Sequence, residues 1–260
     1  MDLNDKVVLV TGASEGIGAA TARLLRTRGA KLALAARSEE KLAGLAQPAD
    51  LIIPGDLLDP DHRRHVVEET LARFGRIDVL INNAGIGMYI PSWRAPIDEV
   101  RRMFELNFFA ALELVQLVVP DMRKRRSGCV VNISSIGGQL SLPWFTLYSS
   151  TKFALLGFSD GLRMELKPDG IHVIAVCPGY VKTGFQGNVI GGRPPDRLQR
   201  SKKFAITAEQ CAEAIVKGIE RDARTVSAPK IGRALVFLSQ VFPSITDRIL
   251  LKTYNQVRED

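Results

Sequence analysis

Tyr148 and Lys152 stand four residues apart in Leu147-Tyr148-Ser149-Ser150-Thr151-Lys152-Phe153, and Ser135 lies thirteen positions upstream at the end of an apolar run. A phenol, a hydroxyl and an ammonium in such an arrangement can donate a proton to a carbonyl oxygen. On a helix, residues i and i+4 share a face, so this spacing sets the Lys152 ammonium beside the Tyr148 phenol. A nearby cation favours phenolate, which predicts a tyrosine pKa lowered towards working pH. The pair taken alone also fits a core tyrosine next to a surface lysine. The elements around it have to decide.

Thr11-Gly12-Ala13-Ser14-Glu15-Gly16-Ile17-Gly18 directly follows an apolar run and opens a helical pattern. Glycines there allow a tight turn and let a pyrophosphate approach, while free N–H groups at a helix start attract phosphate charge. The spacing is Gly-x-x-x-Gly-x-Gly rather than the common Gly-x-Gly-x-x-Gly. The second apolar run ends at Ala35-Ala36-Arg37-Ser38, where an NAD-selecting protein usually places a carboxylate for the ribose hydroxyls. Arg37 can pair instead with a 2′-phosphate, and Ser14 and Ser38 can add hydroxyl donors. The predicted cofactor is therefore NADP(H). Glu15, beside the loop, argues the other way.

These motifs need a frame, and the pattern supplies one. Apolar runs at Lys6–Val10, Leu32–Ala36, Leu51–Ile53, Asp78–Ile81, Cys129–Ile133 and Ile171–Cys177 alternate with helical patterns. The helices are expected from the glycine turn to about Arg28, from Ser38, and over Pro60–Phe74, Ile97–Met122 and Leu147–Leu166. Short continuous apolar strands separated by helices predict an α/β fold with a doubly wound parallel sheet flanked by helices, and 260 residues fit one such domain. Ligands of such sheets bind at the C-terminal ends of the strands, where all of the motifs above fall. Gly184 to Lys203 is rich in Gly, Pro and charge, which predicts a mobile substrate loop near 184–205. An apolar C-terminal helical segment is expected near 232–254, with Pro243 interrupting or starting a helix. It fits packing on its own domain or on a partner subunit. With Arg233, Arg248 and Lys252 it also fits contact with a membrane surface.

The 260 residues carry a net charge of +7, mostly scattered; the tight cluster is Arg123-Lys124-Arg125-Arg126. No aromatic residues interleave with it, so a solvated helix end is favoured over nucleic-acid binding. Cys129, Cys177 and Cys211 follow no metal-ligand spacing, and Cys129 and Cys177 read as core residues. His62 and His65 on a polar helix and His172 on an apolar strand are equally poor ligands, so no metal site is expected. The N-terminus lacks a signal pattern and no apolar stretch looks long enough to span a bilayer, which predicts a soluble, cytoplasmic protein.

Four elements in order, Thr11-Gly12-x-x-x-Gly16-x-Gly18, Asn82-Asn83-Ala84-Gly85, Ser135 with Tyr148-x-x-x-Lys152, and Pro178-Gly179-Tyr180-Val181-Lys182-Thr183, resemble the short-chain dehydrogenases/reductases up to about Phe185. The resemblance implies a single Rossmann-like domain over 1–260 with a seven-stranded parallel sheet, and NAD(P)(H)-linked oxidoreduction of an alcohol or carbonyl. It implies Ser135, Tyr148 and Lys152 as catalytic residues, with Ser134 the adjacent alternative, and Asn107 supporting a water-linked proton path to the lysine. Asn107 also fits a polar helix residue bonding nearby backbone. Cofactor contacts would come from Thr11, Gly12, Ser14, Gly16, Ile17, Gly18, Arg37 and Ser38 around the phosphates. Asp56 would meet the adenine with Leu57 beside it, Asn83 would lie along the adenosine ribose by backbone contacts, and Ala84 and Gly85 would line the same cofactor site. Val181 and Thr183 would hold the nicotinamide carboxamide and phosphate, and Tyr148 and Lys152 would also contact the cofactor, Lys152 by bonding the nicotinamide ribose. A homodimer or homotetramer is implied in the same way.

Met88, Tyr89, Ile136, Leu140, Trp144, Tyr180 and Phe185 are candidate substrate-pocket residues, each of which also fits the core. Being apolar, they suit a lipophilic ketone, aldehyde or sterol-like alcohol better than a small 2-oxo acid. A 3-oxoacyl-carrier-protein reductase, docking an acidic carrier on Arg125 and Arg126, is the alternative enzyme. A catalytically silent NADP-binding regulator is the alternative from another class, and the intact Ser-Tyr-Lys set argues against it.

Overall fold

The computed structural model describes residues 1–192, 205–229 and 231–255. Strands β1 (Val7–Thr11), β2 (Lys31–Ala36), β3 (Leu51–Pro54), β4 (Val79–Asn82), β5 (Gly128–Ile133) and β6 (Ile171–Pro178) are short and almost wholly apolar. Such strands have no polar face to turn to water, so both faces of the sheet must be covered. With β9 (Thr225–Ala228) they form one parallel sheet in the order β3-β2-β1-β4-β5-β6-β9. The order reverses between β1 and β4, which opens a crevice at the C-terminal edge. A separate small pair joins β7 (Val181–Lys182) to β8 (Ile206–Thr207).

Helices α1 (Gly16–Thr27), α2 (Glu39–Leu45) and α7 (Ala208–Glu220) are joined by α3 (Pro60–Phe74), α4 (Ile97–Phe104), α5 (Ala110–Arg125) and α6 (Thr146–Leu166). Two core clusters lie on opposite faces of the sheet, one packing Leu25 and Ile215 against Val8 and Val131, the other Val66, Leu114 and Leu162 against Leu9 and Val130. Cys129 and Cys177 are buried in β5 and β6, as their surroundings predict.

The caps decide where helices begin. Asp59 accepts from the Asp61 amide, Pro60 starts α3 and Gly75, left-handed at φ +77°, ends it, so the range expected from sequence is the range observed. Two helical expectations need correcting. The run from Ile97 is not one α-helix: a π turn over Glu105–Phe109 separates α4 from α5. That continuous helical run, Ile97–Arg125, is also long and apolar enough to cross a membrane, contrary to expectation. Packing explains part of its apolar surface, since Ala110, Leu114, Val115, Val118 and Met122 are buried against the sheet, whereas Ile97, Phe109 and Leu117 are exposed.

Arg63 on α3 is fully buried and ties this region together. Its guanidinium donates to the Leu57 and Leu58 carbonyls and pairs with Glu105 and Glu113 at 2.6 and 2.7 Å. The loop after β3 and the π turn are thereby held at a fixed spacing. The chain closes with α8 (Ile231–Val241) and α9 (Pro243–Asn255), bent 114° apart, with Pro243 the first residue of α9.

Candidate active site

The loops that follow β1 to β6 converge on one crevice of about 1270 Å³. Gly12 and Gly16 take φ +62° and +58°, a region glycine enters without penalty. A methyl on Gly12 would come within 2.9 Å of the Ala84 Cα, and one on Gly18 would overlap the Gly12 carbonyl oxygen. The turn is therefore built around missing side chains and leaves a backbone cradle at the start of α1. The Glu15 side chain, just before that helix, makes no capping bond on it. Such a cradle fits a pyrophosphate.

Most of the predicted cofactor residues line this crevice: Gly12, Ser14, Gly16, Ile17, Arg37, Ser38, Asp56, Leu57, Asn83, Ala84, Gly85, Val181 and Thr183. Two stand behind the wall. Thr11 is buried, its Oγ1 donating to the Ile81 carbonyl and accepting from the Asn83 and Ala84 amides, so it fastens β1 to β4. Gly18 permits the close approach of α1 to the loop. The Asn83 amide donates to the Thr11 and Gly12 carbonyls at 2.9 and 3.0 Å, which commits its side chain to the loop. Ser38 caps α2 by accepting from the Lys41 amide at 3.3 Å.

At the far end, Lys41 Nζ pairs with Glu15 at 2.7 Å. Sequence reasoning missed Lys41, although its place one turn after Arg37 was a usable signal. The pair offsets the anion that stood against a 2′-phosphate. Arg37 is exposed on the crevice wall and makes no ion pair among the described residues.

At the other end of the cofactor cradle, α6 presents Tyr148 and Lys152 one turn apart. Lys152 is buried, and its Nζ donates to the Ile133 carbonyl at 2.9 Å and lies 5.8 Å from the Tyr148 ring centroid. Ser135 faces the phenol, and its Oγ accepts from the Gly137 amide at 3.0 Å. Ser134 Oγ instead donates to the Lys152 carbonyl at 2.9 Å, inside the core. Asn107 is buried in the π turn; its amide donates to the Ile86 carbonyl and Thr151 Oγ1, and its Oδ1 accepts from the Ile86 amide. The bland expectation for Asn107, a bond to nearby backbone, is what the structure displays. A methyl on Gly85 would sit 3.0 Å from Asn107 Oδ1 and 3.5 Å from Lys152 Nζ, so both groups border that glycine.

The expected lowering of the tyrosine pKa is not found. Burial against Phe145 and Phe185 pushes the Tyr148 phenol up to about 12, with the Ser135 hydroxyl opposing part of the rise. Burial also pushes Lys152 down to about 8. Desolvation penalises whichever form is charged, and it is the largest cause of both shifts.

The wall beyond Tyr148 is formed by Ile136, Leu140, Leu142, Phe145, Tyr180 and Phe185, continued by α8 and α9. Met88, Tyr89 and Trp144 are not on it. Met88 and Tyr89 are buried, and the Tyr89 ring meets Trp144 at 5.3 Å and Phe145 at 5.0 Å, so they support the wall from behind. Of the loop expected near 184–205, residues 193–204 lie outside the described residues. Its described start folds as a 3₁₀ turn, Gly184–Asn188, placing the Phe185 ring 5.8 Å from Tyr148.

A profile described as short chain dehydrogenase matches residues 6–192. The chain belongs to the short-chain dehydrogenase/reductase family. This oxidoreductase is 33% identical to a dehydrogenase/reductase SDR family protein 7-like from Anopheles gambiae, over 96% of this chain and 83% of that one. It is 37% identical to a 3-ketodihydrosphingosine reductase from Bacteroides thetaiotaomicron, over 72% and 68%. Among solved structures, a short-chain dehydrogenase from Sphingobium yanoikuyae in complex with NADPH superposes with a TM-score of 0.77 at 30% identity, covering 92% of this chain and 95% of that one.

The basic cluster of this short-chain dehydrogenase/reductase is far from the crevice. It ends α5 and leads into the start of β5, on the opposite edge of the sheet. Arg123 pairs with Asp169, Arg125 with Asp78 and Asp121, and Arg126 donates to the Pro168 carbonyl. Its three arginines serve the fold, and the carrier-docking reading loses the support it took from Arg125 and Arg126.

Proposed function

We propose that this protein is an NADP(H)-dependent reductase or dehydrogenase of a lipophilic ketone, aldehyde or secondary alcohol. One observation carries the substrate class. Among the described residues, the charged groups on the crevice wall are Glu15, Arg37, Lys41 and Asp56 at the cofactor end and Lys152 beside Tyr148. Among the described residues no cation lies in the apolar half to receive a carboxylate, and burying one there unpaired would be costly. The name of the Bacteroides relative specifies a keto group, which agrees with this class. NADP(H) is supported by Arg37, by the Lys41–Glu15 pair and by the NADPH held in the Sphingobium structure.

The nicotinamide dinucleotide, when bound, supplies hydride to the carbonyl carbon or takes it from the alcohol carbon. Gly12, Ser14, Gly16 and Ile17 would hold its phosphates, with Val181 and Thr183 closing over it. Ser135 hydrogen-bonds the carbonyl oxygen and fixes its direction. Tyr148 donates its proton to that oxygen as negative charge develops there. The Lys152 ammonium stabilises the phenolate that remains. A phenol with a pKa near 12 is fully protonated at neutral pH, the form a general acid requires. Exposed Phe109 and Leu117 on the π turn and α5, with Phe153 and Met164 on α6, suit burial in a homo-oligomer.

Two measurements test this reading. Initial rates followed by NADPH absorbance should favour a long-chain or steroid ketone over a small 2-oxo acid by roughly tenfold or more in kcat/KM. A preference for the 2-oxo acid, or for an acyl thioester, would remove the assigned class. For the cofactor, Arg37→Glu should cut the preference for NADPH over NADH by about 10–100-fold, since it replaces a charge-assisted bond with repulsion. An unchanged ratio would show that Arg37 does not meet the 2′-phosphate.

A further inference from the structure

The two C-terminal helices carry more apolar surface than the crevice uses. Leu238 and Leu250 turn inward to the crevice wall, whereas Phe237 (65% exposed), Phe242 (50%) and Ile245 (49%) turn outward. On α8, Arg233, Phe237 and Val241 recur every four residues and so share a face; on α9, Ile245, Arg248 and Lys252 do the same at intervals of three and four. Between residues 231 and 252 the cations are Arg233, Arg248 and Lys252, against the single acid Asp247. An outward apolar face bearing cations is the arrangement of an element that lies in a bilayer interface with its charges at the headgroups.

We infer that α8 and α9 dock this protein onto an anionic phospholipid surface, with the apolar end of the crevice beside it. Two further observations favour that occupant. The pair is apolar enough to count as a span, yet it is bent by 114°. Each helix is about 16–20 Å long at 1.5 Å per residue, short of a hydrocarbon core of about 30 Å. It therefore suits lying along the surface rather than crossing. A second copy of the chain is a poorer match, because a two-fold contact would press together two faces that each carry three cations against one acid. Leu235 belongs to the crevice wall and is also exposed, so α8 carries apolar surface both outside and at the crevice. Docking stands apart from the substrate reading, because vesicle binding needs no turnover.

The test is flotation of the purified full-length protein with phosphatidylcholine vesicles and with vesicles that also contain phosphatidylglycerol. The protein should rise with the anionic vesicles, less so at high salt, and Arg248→Glu with Lys252→Glu should weaken binding by at least about fivefold for each cation. Phe237→Glu with Phe242→Glu should abolish flotation while leaving turnover of a water-soluble ketone and the sedimentation coefficient unchanged. Wild-type protein that stays at the bottom of the gradient, or variants that float as well as it does, would overturn the proposal. So would a change of subunit number in the phenylalanine variant, which would mark the face as a subunit contact. Should that variant lose flotation and soluble turnover together, the charge variant decides: weakened flotation there sustains the proposal, and undiminished flotation overturns it.

Discussion

Tyr148→Phe is expected to lower kcat by about 10²–10⁴-fold, the contribution of one positioned general acid, while NADPH still binds. The substitution keeps the ring and with it the contacts to Phe145 at 6.0 Å and Phe185 at 5.8 Å. Only the hydroxyl beside Ser135 is lost. Ser135 can still orient the carbonyl, but no proton is available where charge develops, so the barrier rises at the chemical step and not in binding. Initial rates give kcat, and quenching of intrinsic fluorescence by NADPH gives the binding constant on the same sample. Retained turnover would remove Tyr148 from the mechanism. Lost NADPH binding would mean that the phenol supports the cofactor cradle instead of the reaction.

How much of this is readable in the chain differs from element to element, for physical reasons. Helix α3 can be bounded to the residue because its signals are local: Asp59 and Pro60 at one end, Gly75 at the other. Strands β1 to β6 are legible because a strand covered on both faces has to be apolar throughout. Helix α7 and strand β9 are not among the elements expected from sequence, although Thr207 and Gln210 form a reciprocal cap and Cys211, Ile215 and Ile219 recur at helical spacing. That signal is local too, but no functional motif draws attention to it. The π turn at Asn107 is not legible, because one extra residue in a turn hardly disturbs the hydrophobic period over so long a helix. Within the site, Gly12, Ser135, Tyr148 and Lys152 announce themselves by type and spacing. Whether Met88 or Leu142 reaches the crevice depends on how loops from β4 and β5 cross, and no short-range pattern records that. The expected pKa of Tyr148 fails for a related reason: the sequence shows the cation, but desolvation is a property of the packed site.

Lys152→Met should reduce kcat/KM by roughly 10²–10³-fold, comparable to removing one preorganised donor from a developing anion, and should weaken NADPH binding as well. Methionine fills nearly the same volume, so the expected loss comes from charge rather than from a cavity, although the Ile133 carbonyl forfeits its 2.9 Å donor. The pH profile separates charge from structure. Burial disfavours the ammonium and holds its pKa at about 8, so Lys152 is charged below that value and loses its proton as pH rises through it. Tyr148, at about 12, keeps its proton over the whole interval. Carbonyl reduction by the wild type should therefore hold steady up to about pH 8 and decline above it, and the limb should disappear in Lys152→Met. A wild-type profile that stays flat to about pH 10 would show that the ammonium does not stabilise the phenolate. A limb near pH 8 that survives in the variant would assign it to another group and leave Lys152 with a role in packing alone.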